Sequence, residues 1–133
     1  MPAFTTVPAL FPPPGYSHTA IVEAGERLAF LAGGVPLDPE GKLVGEGDPE
    51  AQARQVIANV AEALAAIGSG LEHVVASSVY VVGTESAALT RVWEVVRDSG
   101  LSGGPHTSTL LGVSVLGYPG QLVEITVTAV VPA

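Results

Sequence analysis

The chain has 133 residues, no cysteine, and a formal charge of −8 from thirteen acids against five basic residues. Disulfides, thiol nucleophiles and Cys-ligated metal sites are excluded. The scattered Arg27, Lys42, Arg54, Arg91 and Arg97 disfavour nucleic acid or an anionic membrane surface as partner, because phosphate binding needs clustered cations.

The length suits one domain spanning residues 1–133. Charged residues make up only 14% of the chain, against about 25% in ordinary soluble domains, and the mean hydropathy is +0.46. This leans the composition toward an oligomer that buries apolar surface between subunits. No basic stretch followed by an apolar run opens the chain, and no apolar run reaches the roughly 18–20 residues of a membrane span. The expected compartment is the cytoplasm.

Residues 1–15, MPAFTTVPALFPPPG, form a proline-rich extended lead-in. YSHTAIVEAG then reads as a strand, Gly25-Glu26 as a turn and RLAFLAGGV as a second strand, together a hairpin. The turn-rich VPLDPEGKLVGEGD leaves room for a short extra strand around Leu43. The first helix starts at Asp48, an N-cap, followed by Pro49 at the position where a missing N–H costs nothing. Ala53, Val56, Ile57, Val60, Leu64 and Ile67 keep helical spacing, and Gly68 suits the C′ position. HVVASSVYVVG is a β-branched strand. A second helix spans about Ser86 to Asp98, with Leu89, Val92, Trp93 and Val96 as its buried stripe, and Gly100, Gly103, Gly104 and Pro105 end it.

Strands over roughly 107–113 and 122–131 close the chain. In the last, Val123, Ile125, Val127, Ala129 and Val131 alternate with Glu124, Thr126, Thr128 and Val130. The order β-β-α-β-α-β-β predicts a two-layer α+β domain, helices on one side of a mixed sheet.

His18, His73 and His106 are the only histidines, and no pair has local metal-ligand spacing; no metal site is expected. His73 reads as a surface loop residue. There is no nucleophile elbow, P-loop or dinucleotide fingerprint. Ala76-Ser77-Ser78 has no base at a recognisable spacing and reads as packing. Glu124 lies in the most hydrophobic strand. It is either one residue of a solvated sheet face or a carboxylate in a partly buried cleft, where desolvation can raise its pKa and equip it for proton transfer. Tyr16-Ser17-His18 follows the rigid prolines and serves either as strand-edge packing or as a pocket wall. His106, Thr107, Ser108 and Thr109 gather small polar side chains at a strand end.

PPGYSHTAIVEAGERLAFLAGGVPLDPEGKLVGEGDPEAQARQVIANVAEALAAIGSGLEHVV, SSVYVV and LVEITVTAVV together resemble the RidA/YjgF (Rid) family, with AGGVPLDP…GD…AQARQVIANV the most specific segment. The resemblance implies a chorismate-mutase-like fold, a six-stranded mixed sheet backed by two helices, in homotrimers with clefts between subunits. It also implies hydrolysis of small reactive enamines and imines, such as 2-aminoacrylate, to a 2-keto acid and ammonia, with no cofactor.

In the family an arginine clamps the substrate carboxylate, a task suited to its planar fork. Thr107 stands at that position, Ala32 at a serine position and Thr90 at an asparagine position, while Tyr16 and Glu124 match. The resemblance gives Glu124 the water and Tyr16 the orientation of the substrate. Thr107 and backbone N–H groups would hold an oxygen, with Ser17 and His106 beside them. If Thr107 faces the cleft, His106 faces away, since strand neighbours alternate. The missing clamp and the acidic chain point to a neutral or less anionic small-molecule ligand. A non-catalytic trimeric binding protein that keeps the fold is the alternative. Ribonuclease and translation inhibitor are older labels in the family, and the charge argues against both here.

Overall fold

Asp48 caps the first helix as its sequence requires: the side-chain Oδ1 accepts from the Ala51 N–H at 3.1 Å, and Pro49 opens α1 (Pro49–Ala65). The computed structural model in which this is seen describes the backbone of residues 1–133 and every side chain except that of Ser102. Ala53, Val56, Ile57, Val60 and Leu64 are buried on one face of α1. The helix stops short of Ile67. Gly68 takes a φ of 79°, and the Ser69 N–H returns to the Leu64 carbonyl at 2.9 Å, so Ile67 is exposed instead of completing the stripe. α2 (Ser86–Asp98) has the expected bounds and buries Val92, Trp93 and Val96.

Six strands are present: β1 (Ala3–Thr5), β2 (Thr19–Ile21), β3 (Arg27–Phe30), β4 (Val74–Val82), β5 (Thr107–Val113) and β6 (Val123–Val131). The two-layer α+β arrangement stands, with a mixed sheet against the helices. The strands pair as a four-stranded sheet of order β3-β6-β4-β5 and a two-stranded sheet β1-β2, not as one six-stranded sheet. Only β4 and β5 run parallel among the pairs of the larger sheet.

The expected β2–β3 hairpin does not form, and the reason is its turn. Glu26 N–H donates to the Glu23 carbonyl at 3.2 Å, with Gly25 third in the turn at a φ of 87°. That is where a type II turn needs its glycine, and type II turns splay the flanking strands. β2 pairs instead with the proline-rich lead-in, which thus carries β1. The extra strand near Leu43 reduces to a single bridge, Leu37–Leu43.

On β6, Val123, Ile125, Val127 and Ala129 turn toward the helices and are buried with Val79 and Val81 of β4. Burying each of these valine and isoleucine side chains stabilises by about 1.5–3 kcal/mol. The ion pairs found among the described residues, Met1–Glu26, His73–Glu72 and Arg97–Asp98, include exposed partners, and such pairs each contribute about 1 kcal/mol at most. The apolar layer therefore dominates. Among the described residues no helix is long and apolar enough to cross a membrane.

One buried polar side chain ties the layers to the loops. Gln52 is fully buried on α1. Its Nε2 donates to the Gly45 and Gly120 carbonyls at 3.0 and 3.1 Å, and its Oε1 accepts from the Leu122 N–H at 2.7 Å. Replacing it with an apolar side chain removes the partner of three part-buried loop backbone groups, and a group left unsatisfied costs about 1–3 kcal/mol where water cannot reach it. Gln52→Leu is expected to lose about 1–3 kcal/mol of unfolding free energy, measured by urea denaturation. A loss below about 1 kcal/mol would mean the loops re-pair without it.

Candidate functional site

The site residues fall in two places on the sheet. At one end of β6, Glu124 is half-buried and its Oε1 accepts from Gln121 Nε2 at 3.1 Å. The same Nε2 reaches the Val123 carbonyl at 3.1 Å, and Gln121 Oε1 accepts from the Tyr118 N–H at 3.1 Å. The carboxylate lies against the backbone of Gly33, where any Cβ would collide with it. Gly33 belongs to a bulge. β3 and β6 pair Phe30 with Thr128, but the next bridge joins Gly34 to Ile125, so one extra residue is accommodated. Ala32, exposed, flanks the carboxylate on this bulge.

The second group lies where β5 begins. Ser17 N–H donates to the His106 carbonyl at 2.9 Å, and Ser17 Oγ donates to the Pro105 carbonyl at 3.2 Å, so the buried Ser17 anchors the strand entry. Thr107 Oγ1 donates to the Val75 carbonyl at 2.7 Å. Its hydrogen is committed, and it can offer an incoming group only lone pairs. Tyr16, Ser17 and Thr107 line an open cavity of about 320 Å³ with Ser77 and Ser108. A second cavity of about 530 Å³ runs between β5 and α2, lined by Tyr16, Thr90, Trp93 and Ser108 among others. Thr90 Oγ1 donates back to the Ser86 carbonyl at 3.0 Å.

Tyr16 stands edge-on to both His18 and Trp93, with ring centroids 6.0 and 6.5 Å apart. The lead-in that carries it is held at three points. Trp93 Nε1 donates to the Pro14 carbonyl at 3.0 Å. His18 Nδ1 accepts from the Val7 N–H at 2.9 Å, which leaves its Nε2–H to donate to the Phe11 carbonyl at 3.1 Å. His18 is thus a structural tie with both ring nitrogens occupied.

His106 and Thr107 do face opposite ways. His106 is 3% exposed, and its Nε2 lies 2.7 Å from Ser77 Oγ, which lies 2.7 Å from Ser108 Oγ. Ser77 is itself buried. The two serines are cross-strand neighbours in the parallel β4–β5 register. Sequence reading misses this cluster because the base is 29 residues from Ser77; only the register of β4 on β5 reveals it. Desolvation holds His106 below its ordinary pKa of 6.5, partly offset by a backbone hydrogen bond with Gly104.

Residues 8–131 match the family model described as Endoribonuclease L-PSP. The chain belongs to the RidA/YjgF (Rid) family. It is 36% identical to Protein DfrA of Myxococcus xanthus over 86% of this chain and 84% of the relative. It is 34% identical to the RutC family protein slr0709 of a Synechocystis strain over 90% and 89%. The crystal structure of YyfB from Yersinia pestis, a protein of unknown function in the conserved Rid family, superposes with a TM-score of 0.86 at 31% identity, covering 97% of this chain and 98% of that one. NMB1025, a YjgF-family member from Neisseria meningitidis, gives a TM-score of 0.66 at 25% identity over 100% and 97%.

Tyr16 and Glu124, the two positions expected to share a site, are far apart in one chain. Thr107, beside Tyr16, lies opposite Ala76 on β4, whereas Glu124 lies opposite Tyr80. Four strand residues at about 3.3 Å each separate those rows by roughly 13 Å. A small substrate cannot touch both within one subunit.

His106 also gives a pH test of the packing. Its folded pKa is depressed, so the unfolded chain binds the extra proton first. The stability it contributes is fully present above the unfolded value near 6.5 and declines as pH falls through that value toward the lower folded one. Unfolding free energy of the wild type should drop between pH 7.5 and 5.5 more steeply than that of His106→Gln. Equal slopes would show that the ring is hydrated in solution.

Proposed function

We propose that this protein is a Rid-type hydrolase of a small imine or enamine, working in clefts between the subunits of a homotrimer. The observation that carries the reading is the split site: a fixed carboxylate at one end of the sheet, and a tyrosine-walled cavity roughly 13 Å further along the strand direction and two strands across. Packing of like subunits completes such a site by bringing Glu124 of one chain to Tyr16 and Thr107 of the next. The apolar Leu28 and Phe30, exposed on β3, supply surface for that packing. In the cleft Glu124 takes a proton from water as the oxygen adds to the C=N carbon, and ammonia leaves after protonation of the nitrogen. Tyr16 orients the substrate.

Thr107 presents lone pairs where the family's arginine presents a charged fork. The preferred ligand is therefore neutral or a hydrogen-bond donor at that end, not an amino-acid imine with a free carboxylate. The committed Thr107 hydrogen and the methyl of Ala32 also favour a second reading, a trimeric binding protein that keeps the cleft without turnover. RNA cleavage is not proposed: the charge of −8 opposes polyanion binding.

The test is release of keto acid from imines generated in situ by an amino-acid oxidase, with and without the protein, alongside light scattering for subunit number. Acceleration that Glu124→Gln reduces about 10²-fold or more, in an intact trimer, supports the hydrolase. No acceleration for charged or uncharged imines moves the conclusion to the binding protein. Thr107→Arg is expected to raise activity on 2-iminopropionate. No gain would mean that Ala32 or Thr90 also limits the cleft.

A further inference from the structure

Ser108 ends a chain of hydroxyls that begins at a buried imidazole. His106 Nε2 faces Ser77 Oγ, and Ser77 Oγ faces Ser108 Oγ, each at 2.7 Å. In the tautomer that carries its proton on Nδ1, His106 leaves Nε2 free to accept. Nε2 then accepts from Ser77, and Ser77 accepts from Ser108. The order is a nucleophile, a base and a group that orients the base, with one hydroxyl between the first two. A base can act through one such bridge.

Ser108 is half-buried and lines both cavities at the β5 edge, about 320 and 530 Å³. Pro14, Tyr16, Trp93 and Leu110 give the larger one apolar walls. Arg97 stands on its rim, its stem against Gly15 and its Nε held by Asp98 at 3.1 Å.

We propose that Ser108 is a nucleophile activated through Ser77 by His106, and that this cavity accepts small esters or other activated acyl compounds with an apolar group. Ser108 Oγ bonds to the acyl carbon as the bond to the leaving group breaks. The Ser108 proton passes to Ser77 while the Ser77 proton passes to His106 Nε2, and the departing group takes a proton from Ser77 as Ser77 regains one from His106. Water that gives its proton to Ser77, as Ser77 gives one to His106, then attacks the acyl carbon and releases the acid, and the returning proton restores the Ser108 hydroxyl. No oxidant, metal or cofactor enters. The larger cavity lies on the helix side of the sheet, away from Glu124, so the proposal does not rest on imine hydrolysis.

The full-length protein is treated with diisopropyl fluorophosphate, which transfers its phosphoryl group to an activated serine with loss of fluoride. Hydrolysis of p-nitrophenyl butyrate is followed in parallel. Peptide mass spectrometry is expected to find the adduct on Ser108. Ser108→Ala should abolish it, and Ser77→Ala and His106→Gln should each slow labelling about 10²-fold, while the exposed Ser114→Ala labels at the wild-type rate. Circular dichroism checks each fold. If His106→Gln does not fold, Ser77→Ala decides, since it leaves the imidazole in place but disconnected. No adduct on the wild type, an adduct on Tyr16 or Ser77, or unchanged labelling in folded Ser77→Ala overturns the proposal. Loss of imine turnover with labelling intact would overturn only the hydrolase reading.

Discussion

The amide of Gln52 is the interaction on which the placement of the carboxylate depends. It sits in the helix layer with no exposure, yet its three hydrogen bonds all go to loop backbone. Two of those loop contacts, Gly120 and Leu122, bracket Gln121, the residue whose side chain holds Glu124. A buried amide satisfied on every side specifies one arrangement, because a shifted loop would leave polar groups unpaired in the interior. The path from core to site is therefore short: Gln52 fixes the loop, the loop aims Gln121, and Gln121 presents the carboxylate against Gly33.

Asn59, two turns further along nearly the same face of α1, has the matching role. Its Nδ2 donates to the Val35 and Leu37 carbonyls at 2.8 and 2.9 Å, while its side chain also accepts from Gln55 Nε2 at 2.9 Å. Asp38 meanwhile caps its own turn, accepting from the Glu40 and Lys42 N–H groups. The AGGVPLDP…GD…AQARQVIANV stretch, the most diagnostic segment of the Rid resemblance, thus consists of caps, ties and close backbone approaches. Gly34 belongs to the same set: a Cβ there would press on Val60 and Val56. The segment marks the family because it builds the scaffold, and says little about which ligand the cleft takes.

What is legible in the sequence follows from how local each signal is. Asp48-Pro49 starts a helix by itself, and β5 and β6 show their bounds through alternation and the glycines around them. The hairpin expectation fails because strand pairing turns on the geometry of one turn, and Gly25 in third place selects the splayed form. The division of the site into two places is not legible, since periodicity assigns Glu124 and Thr107 to faces but not to positions along the sheet. The Ser77–His106 contact is least accessible of all. Ser77 reads as packing and Ser108 as one of the polar side chains at a strand end, and the base they share becomes visible only when β4 and β5 are set side by side.

That adjacency has a consequence for the order in which the molecule assembles. β4 and β5 are parallel, and α2 lies between them in the chain. Parallel neighbours cannot be joined by a tight turn; the crossover must close first, and pairings at long sequence separation form slowly. The caps of α1 and the turn at Glu23–Glu26 are made from residues a few positions apart and need no such closure. The hydroxyl–imidazole chain joins residues 29 and 31 positions apart, so it needs the crossover to close and follows those local features. Its appearance, read through the environment of Trp93 beside it, would report the docking of β5 on β4 and not the formation of caps and turns.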